Sequence, residues 1–338
     1  MAEKLTENLD ISFEGLYDNI VLAPIKSRLL LTALELKVFD HLAEFKSAQE
    51  MAQSLGSHPR NTALFLDGLA AFDLVEKRCG KYRNSPLSQT FLVEGHLHFI
   101  GGLLTDQWRR NLSVLDDLTT FVLKGPKELK VSKVPVEESG EALANYERSG
   151  MAQKVSGIVE ELPEFPSMKK VLDLGGGPGI IGMAVVASHP NMVGVIFELP
   201  QMAKVARKFV QEYGLEERMA VVEGDYNQDS IGQGYDLVLA CASLYSSKKD
   251  LDSIVGKVYQ ALNPGGVFVS IHEGLTQEDT KPEKMRLGWL TAELLGKDLS
   301  FSEGEIADSM IGVGFRSVRS RTIDTPVGEM DLDLGRKA

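Results

Sequence analysis

The sequence predicts an α/β protein in which a mostly parallel, doubly wound, Rossmann-like sheet follows a mainly helical N-terminal module. Three observations carry this. After Pro166, short apolar β runs alternate with helical segments. In the first of these units Val171–Gly182 reads VLDLGGGPGIIG, a strand feeding a glycine turn feeding a helix. Before Pro166, apolar residues recur mainly at helical spacing. A glycine turn of this kind bends sharply, lets the backbone approach a ligand, and aims helical N–H groups at it. The ligand stays open at this point, because Gly177, Gly179 and Gly182 also satisfy the G-x-G-x-x-G of dinucleotide enzymes.

With 338 residues, 43% hydrophobic and 25% charged, the chain is long enough for one large or two ordinary domains and can bury a substantial core. A net charge of −12 argues against sequence-independent nucleic-acid binding and against anionic membrane surfaces. Cys79 and Cys241 lie far apart without metal-ligand spacing, which fits a reducing compartment. The N-terminal MAEKLTENLD has no apolar leader-like region, and no apolar run approaches the ~20 residues needed to span a bilayer. A cytoplasmic protein is expected.

Residues 1–95 divide into compact helical units. From Leu16 to about Leu36 the apolar stripe is wide, predicting a helix buried on more than one side. Ser47 caps a helix over Ala48–Leu55, with Glu50 as capping-box partner, and Gly56 ends it. Pro59 opens a second helix to about Phe72, and Leu74–Ser85 reads as a hairpin turning at Gly80. Together these make a winged-helix module. A DNA-reading helix needs several donors. This one offers Arg60 alone among strong cations, offset by Asp67 and Asp73, and the only basic cluster is Lys77, Arg78, Lys81 and Arg83. Packing and dimerisation is the expected role.

Residues 96–165 are expected to be a helical linker that contributes to a substrate pocket. Phe91–Leu123 looks helical and aromatic-rich, Lys124–Ser139 reads as a loop, and Glu141–Leu162 as one amphipathic helix ended by Pro163 and Pro166. Glu94, His96 and His98 share a face only on a strand and lack a further ligand nearby, so no metal site is expected.

Residues 166–338 carry the sheet. Strands are expected at Val171–Leu174, Val193–Glu198, Met219–Glu223, Tyr235–Ala240 and Gly266–His272, with helices between. A final pair, Phe315–Ile323 and Glu329–Leu334, is joined only by a turn and must be antiparallel. Open α/β sheets bind ligands at the C-terminal ends of their strands. There lie Asp173 with the glycine loop, Glu198, Asp225 and Ala240–Leu244. Their joint placement carries the weight, since each acid alone is ordinarily a solvated or capping group.

VLDLGGGPG, the FELP acid Glu198, the EGDY acid Asp225, the strand DLVLACASLY and the loop ALNPGG resemble the class I S-adenosylmethionine-dependent methyltransferases. Nearly the whole chain resembles the small-molecule O-methyltransferase family of plant caffeate and bacterial antibiotic-pathway enzymes, in which a winged-helix dimerisation domain precedes the catalytic sheet. The resemblance implies S-adenosylmethionine as cofactor, a homodimer, and methyl transfer to a small aromatic or polyketide-like acceptor, at oxygen. It implies that the backbone of Gly175 and Gly177 approaches the methionine part of the cofactor, with Asp173 helping its ammonium. Glu198 then takes the ribose hydroxyls with Leu199 against the adenine, Asp225 accepts from the adenine amino group beside Tyr226, and Ala240 lies at the end of the fourth strand. A dehydrogenase has no use for Asp173, because a carboxylate beside a pyrophosphate is repulsive. A cofactor-binding member with other chemistry, or a ligand-sensing regulator, are the alternatives.

The family's catalytic histidine, shortly after the fourth strand, is replaced here by Tyr245, a poor base with a reference pKa of about 10. His272 ends the fifth strand, where the family commonly has a glutamate, and Glu273 follows. Either His272 has become the base, assisted by Tyr245 or Glu273, or it only hydrogen-bonds within a pocket wall. An acceptor that is already anionic or strongly nucleophilic would need no base. Trp108, Tyr146, Met151, Tyr245 and Trp289 are expected to line the acceptor pocket; NYERSGMAQ, which holds Met151, resembles the family's segment over the reactive methyl.

Overall fold

The computed structural model describes residues 12–127 and 135–338, so the polar N-terminal decapeptide and part of the expected Lys124–Ser139 loop lie outside the described residues. Backbone packing divides the chain into one unit up to Thr105 and another from Asp106.

In the first unit a helical turn at Glu14–Tyr17 runs through a wider turn, Asp18–Leu22, into α1, Ala23–Glu35. The stripe predicts burial on several sides, and one side is what the unit covers. Ala33 is buried and Leu29, Leu30 and Leu34 pack on Val38, Phe39, Leu66 and Leu69. Leu16 and Ile20 remain 70% and 74% exposed. A wide stripe records two apolar faces; it does not say that one chain covers both.

β1 (Lys46–Ser47) leads into α2 (Ala48–Leu55). The capping box forms as its spacing requires: Glu50 N donates to Ser47 Oγ at 3.2 Å and Ser47 N to Glu50 Oε2 at 2.7 Å. α3 spans Pro59–Ala70, and β2 (Val75–Arg78) pairs antiparallel with β3 (Lys81–Asn84). Cys79 and Gly80 both take positive φ, 48° and 73°, the geometry of a tight two-residue hairpin turn. β1 adds to β3, giving the order β1-β3-β2. After α4 (Pro86–Phe91) the expected helical stretch is interrupted and resumes as α5 (Gly101–Leu115), within which the division falls, and α6 (Leu118–Lys124). Among the described residues no three His, Cys, Asp or Glu side chains converge as a metal site would need.

In the second unit the single helix expected over Glu141–Leu162 is two, α7 (Val136–Tyr146) and α8 (Ala152–Glu160). Between them Ser149 and Gly150 leave helical geometry, Gly150 at φ 131°. Apolar periodicity continues through the kink, so the sequence pattern does not betray it. The kink turns Glu147 and Arg148 into the interior.

The sheet comprises β4 (Lys170–Leu174), β5 (Val193–Glu198), β6 (Met219–Glu223), β7 (Tyr235–Cys241), β8 (Leu262–His272), β9 (Arg316–Thr325) and β10 (Gly328–Arg336). Its order is β6-β5-β4-β7-β8-β10-β9. The first five are parallel, and β10 inserts antiparallel between β8 and β9. Alternate strand residues face opposite ways. Val171, Ile196, Leu237 and Val269 therefore pack with α8, α9 (Ile180–Ala187) and α10 (Pro200–Glu212). Leu172, Leu174, Val238 and Phe268 pack with α11 (Leu251–Ala261) and α13 (Glu305–Val313), while α12 spans Glu283–Leu294. Parallel order brings the C-terminal ends of β4 to β8 to one edge of the sheet, where the expected site residues lie.

Candidate active site

Asp173, next to last in β4, is 2% exposed. Its Oδ2 accepts from Gly182 N at 3.0 Å, in the first turn of α9. A Cβ at Gly182 would stand 2.6 Å from that oxygen, and one at Gly176 2.5 Å from it. These two glycines make room for the carboxyl. Burial raises the Asp173 carboxyl to about 7, against the Gly182 hydrogen bond.

The expectation that helical N–H groups point at the ligand is corrected here. The Ile180 and Ile181 N–H groups face the buried Glu147 carboxyl, and Gly182 N faces Asp173. The loop amides are also engaged: Gly175 N donates to Phe197 O at 2.9 Å and Gly177 N to Glu198 Oε2 at 2.9 Å. Three carboxyls thus ring a loop whose donors are mostly occupied. A cationic ligand with hydroxyls to donate, as S-adenosylmethionine is, fits this set of acceptors; a pyrophosphate does not.

Along the rim, Glu198 Oε1 accepts from Leu199 N at 2.7 Å, and Leu199 is 54% exposed beside it. Asp225 closes its own turn, accepting from Asn227 N and Gln228 Nε2, each at 2.9 Å. The Tyr226 hydroxyl donates to Ser243 O and lies 2.8 Å from Ser246 Oγ. Ala240 is buried in the layer packed on α11, so its side chain faces the core.

After β7 the chain turns at Ala242, whose φ of 49° is unusual without glycine. His272 holds this turn. Its Nε2 accepts from both Ser243 N and Leu244 N at 3.1 Å, and its Nδ1 meets Ser270 Oγ at 2.9 Å. At 1% exposure, desolvation pulls the imidazole down to about 3. The ring is neutral and its only free lone pair is already used.

Glu273 differs. It is 1% exposed, Oε2 accepts from the Tyr245 hydroxyl at 3.0 Å, and Oε1 has no partner. Burial lifts its carboxyl to about 7, opposed by hydrogen bonds from its own backbone, Tyr245 and Trp289. Tyr245 stacks near Trp289, His272 and Phe301 at ring separations of 4.9, 5.6 and 5.9 Å. Burial and Glu273 push the Tyr245 phenol well above its ordinary range.

Met151 is 1% exposed in the core beyond the kink. Tyr146 is half-buried against the same cluster, near enough to Tyr245 for the two to interact electrostatically. Trp108 is half-buried on α5 and is not among the rings around Tyr245. The fold adds one residue that the sequence did not single out and gives roles to two within the expected Ala240–Leu244 stretch. Glu147 joins the carboxyls, Ser243 braces the loop by donating to Leu174 O at 2.8 Å, and half-buried Cys241 lies among them. The only signal for Glu147 was a charge within an amphipathic run, which ordinarily marks a solvated face.

Residues 142–301 match the O-methyltransferase domain, and residues 19–94 the O-methyltransferase dimerisation domain. The N,N-dimethyltransferase OxyT of Streptomyces rimosus is 27% identical over 90% of this chain and 91% of its own length. The tetracenomycin polyketide synthesis 8-O-methyl transferase TcmO of Streptomyces glaucescens is 23% identical over 92% and 93%. The solved structure of human N-acetylserotonin methyltransferase in complex with SAM shares the fold at a TM-score of 0.80, with 22% identity over 98% of this chain and 99% of that one. With motifs, sheet order and both domain matches in agreement, the chain belongs to the class I S-adenosylmethionine-dependent O-methyltransferase family and is a methyltransferase.

Proposed function

We propose that this enzyme methylates a hydroxyl of a small aromatic or polyketide-like molecule, with Glu273 as the base. The observation that carries this is the Glu273 carboxyl: buried, held at one oxygen by Tyr245, free at the other, and poised near neutrality. A general base works best when its pKa lies near the operating pH. When bound, S-adenosylmethionine supplies a methyl already activated on a positively charged sulfur. What the protein must add is alignment and removal of one proton. Glu273 Oε1 accepts that proton, Tyr245 holds the carboxyl at Oε2, and the surrounding rings keep water from levelling its basicity. His272 fixes the β7 turn that carries Tyr245, as a positioning residue. TcmO, named for a polyketide 8-O-methylation, supports the acceptor class.

For the cofactor, Asp173 and Glu198 take the ammonium and the ribose hydroxyls, the backbone of Gly175 and Gly177 approaches the methionine part, and exposed Leu199 packs on the adenine. Asp225 and Tyr226 border the adenine edge, with Ala240 contributing backbone only. Tyr146, Met151, Trp289 and Trp108 border the acceptor. Calorimetric titration should show binding of S-adenosylmethionine and S-adenosylhomocysteine but not NADH. Silence from both sulfur nucleosides would remove the cofactor assignment.

The first unit serves as a winged-helix homodimerisation module. Its uncovered stripe, including Leu16, Ile20 and Ile25, matches a second copy's stripe better than it matches water. The wing cations are mostly committed, Lys77 to Asp67 at 2.5 Å, and Arg83 and Arg78 to Glu76 at 3.0 and 3.1 Å, which speaks against a DNA-binding regulator. Leu16→Glu with Ile20→Glu should convert dimer to monomer in sedimentation velocity; an unchanged dimer would move the interface elsewhere. The free Cys79 and Cys241 support a cytoplasmic setting, and no described helix is long and apolar enough to cross a membrane.

A further inference from the structure

α9 is preceded by Gly179, which sits in the left-handed region and provides no side-chain cap. The N–H groups of such a first turn need acceptors from elsewhere. Two carboxyls provide them. Asp173 arrives from β4 and takes Gly182 N; Glu147 arrives from the α7–α8 kink and faces Ile180 N and Ile181 N. One carboxyl would serve a helix end, and the macrodipole rewards it. A second buried acid beside the first is costly, because each disfavours the other's charge.

Glu147 is 6% exposed and its Oε2 has no hydrogen-bond partner. The adjacent Arg148 does not supply one. Its guanidinium lies over the rings of Phe209 and Tyr213, 4.7 and 5.8 Å from their centres, and donates to Asn145 Oδ1 at 2.9 Å. The carboxyl overhangs the glycine loop: a Cβ at Gly177 would stand 3.8 Å from Glu147 Oε1. An unpartnered, buried acceptor over the loop, next to a second carboxyl, is a seat for a cation with several N–H donors.

We propose that Glu147 acts with Asp173 as a two-carboxyl clamp for the α-ammonium of the cofactor's amino-acid part. This rests on the methyltransferase reading above and deepens it. The ammonium donates to Glu147 Oε2 and to Asp173, and no bond is made or broken beyond proton exchange with solvent. Without ligand, burial first and Asp173 next hold the Glu147 carboxyl well above its usual range, with Arg148 and the Ile180 and Ile181 N–H groups opposing. The other titratable groups facing the pair are Glu198, Tyr146 and Cys241. An arriving cation therefore draws protons off the pair.

The test is calorimetry on the full-length protein at pH 7, in two buffers of different ionisation enthalpy. S-adenosylhomocysteine carries the ammonium; 5′-methylthioadenosine lacks the amino-acid part. For the wild type, S-adenosylhomocysteine should release protons and 5′-methylthioadenosine should release none. Glu147→Gln should weaken S-adenosylhomocysteine about 10- to 100-fold, the range of a lost charge-assisted hydrogen bond, and leave 5′-methylthioadenosine unchanged. Equal weakening of both ligands, or unchanged affinity for S-adenosylhomocysteine, would overturn the clamp. So would absence of proton release in the wild type, which needs no variant to fold. If neither nucleoside binds the wild type, the cofactor assignment fails first, a result distinguishable from failure of the clamp alone.

Discussion

Glu273→Gln should lower the methyl-transfer rate by about 10²–10⁴-fold while leaving S-adenosylhomocysteine affinity unchanged, the range expected for loss of a positioned general base. Glutamine keeps the shape and can still accept from Tyr245, but Oε1 no longer takes a proton. The pH dependence supplies the sharper test. Burial raises the Glu273 carboxyl to about 7, so below that pH it is protonated and cannot act. The wild-type rate should climb as pH rises through 7 and level off above it, and the Glu273→Gln rate should lack that limb. His272, pulled down to about 3, stays neutral over the same range and contributes no limb. His272→Gln should instead lower stability, by roughly 1–3 kcal/mol, since two buried N–H groups share its Nε2. Single-turnover rates between pH 5.5 and 9 would separate the two. If His272→Gln erased the limb and Glu273→Gln kept it, the base would be the histidine after all.

Gly182→Ala should be strongly damaging to the catalytic unit. The new Cβ would stand 2.6 Å from Asp173 Oδ2 and 2.8 Å from Asp173 Cβ. Asp173 has nowhere to go, buried on β4 with β5 on one side and β7 on the other. Either α9 lifts from the sheet or the carboxyl loses its hydrogen bond. Overpacking of this kind costs about 3 kcal/mol, or roughly 6–12 °C of melting temperature. Cofactor binding should go with it, because the helix carries the glycine loop. Gly157→Ala is the matched control. It lies in α8 with nothing within 4 Å of the added methyl, and helix propensity alone should make it neutral to stabilising by up to ~1 kcal/mol. Equal melting temperatures for Gly182→Ala and wild type would mean that Asp173 yields, and that the close fit is not what places it.

Local chemistry made much of the architecture legible in advance. The strands of the sheet stand out because each is a short apolar run bounded by turn residues, and alternation with helices forces them parallel. The turn between β9 and β10 is too short for a crossover, so their antiparallel pairing was also determined. Ser47 and Glu50 needed only their own three-residue spacing to cap α2. The carboxylates Asp173, Glu198 and Asp225 were legible because strand ends in a parallel sheet share an edge.

What the sequence could not determine depends on contacts between distant segments. The uncovered face of the first helix is one case, since apolar spacing says which residues avoid water and not what covers them. The kink at Gly150 is another, hidden because the apolar stripe runs through it, and it alone brings Glu147 over the glycine loop. The division of labour between His272 and Glu273 is the third. Both are titratable neighbours at one strand end. Tertiary structure turned the imidazole toward two backbone amides and left one buried carboxylate oxygen unpartnered, and the proposed base role rests on that burial and free lone pair, which sequence spacing does not encode.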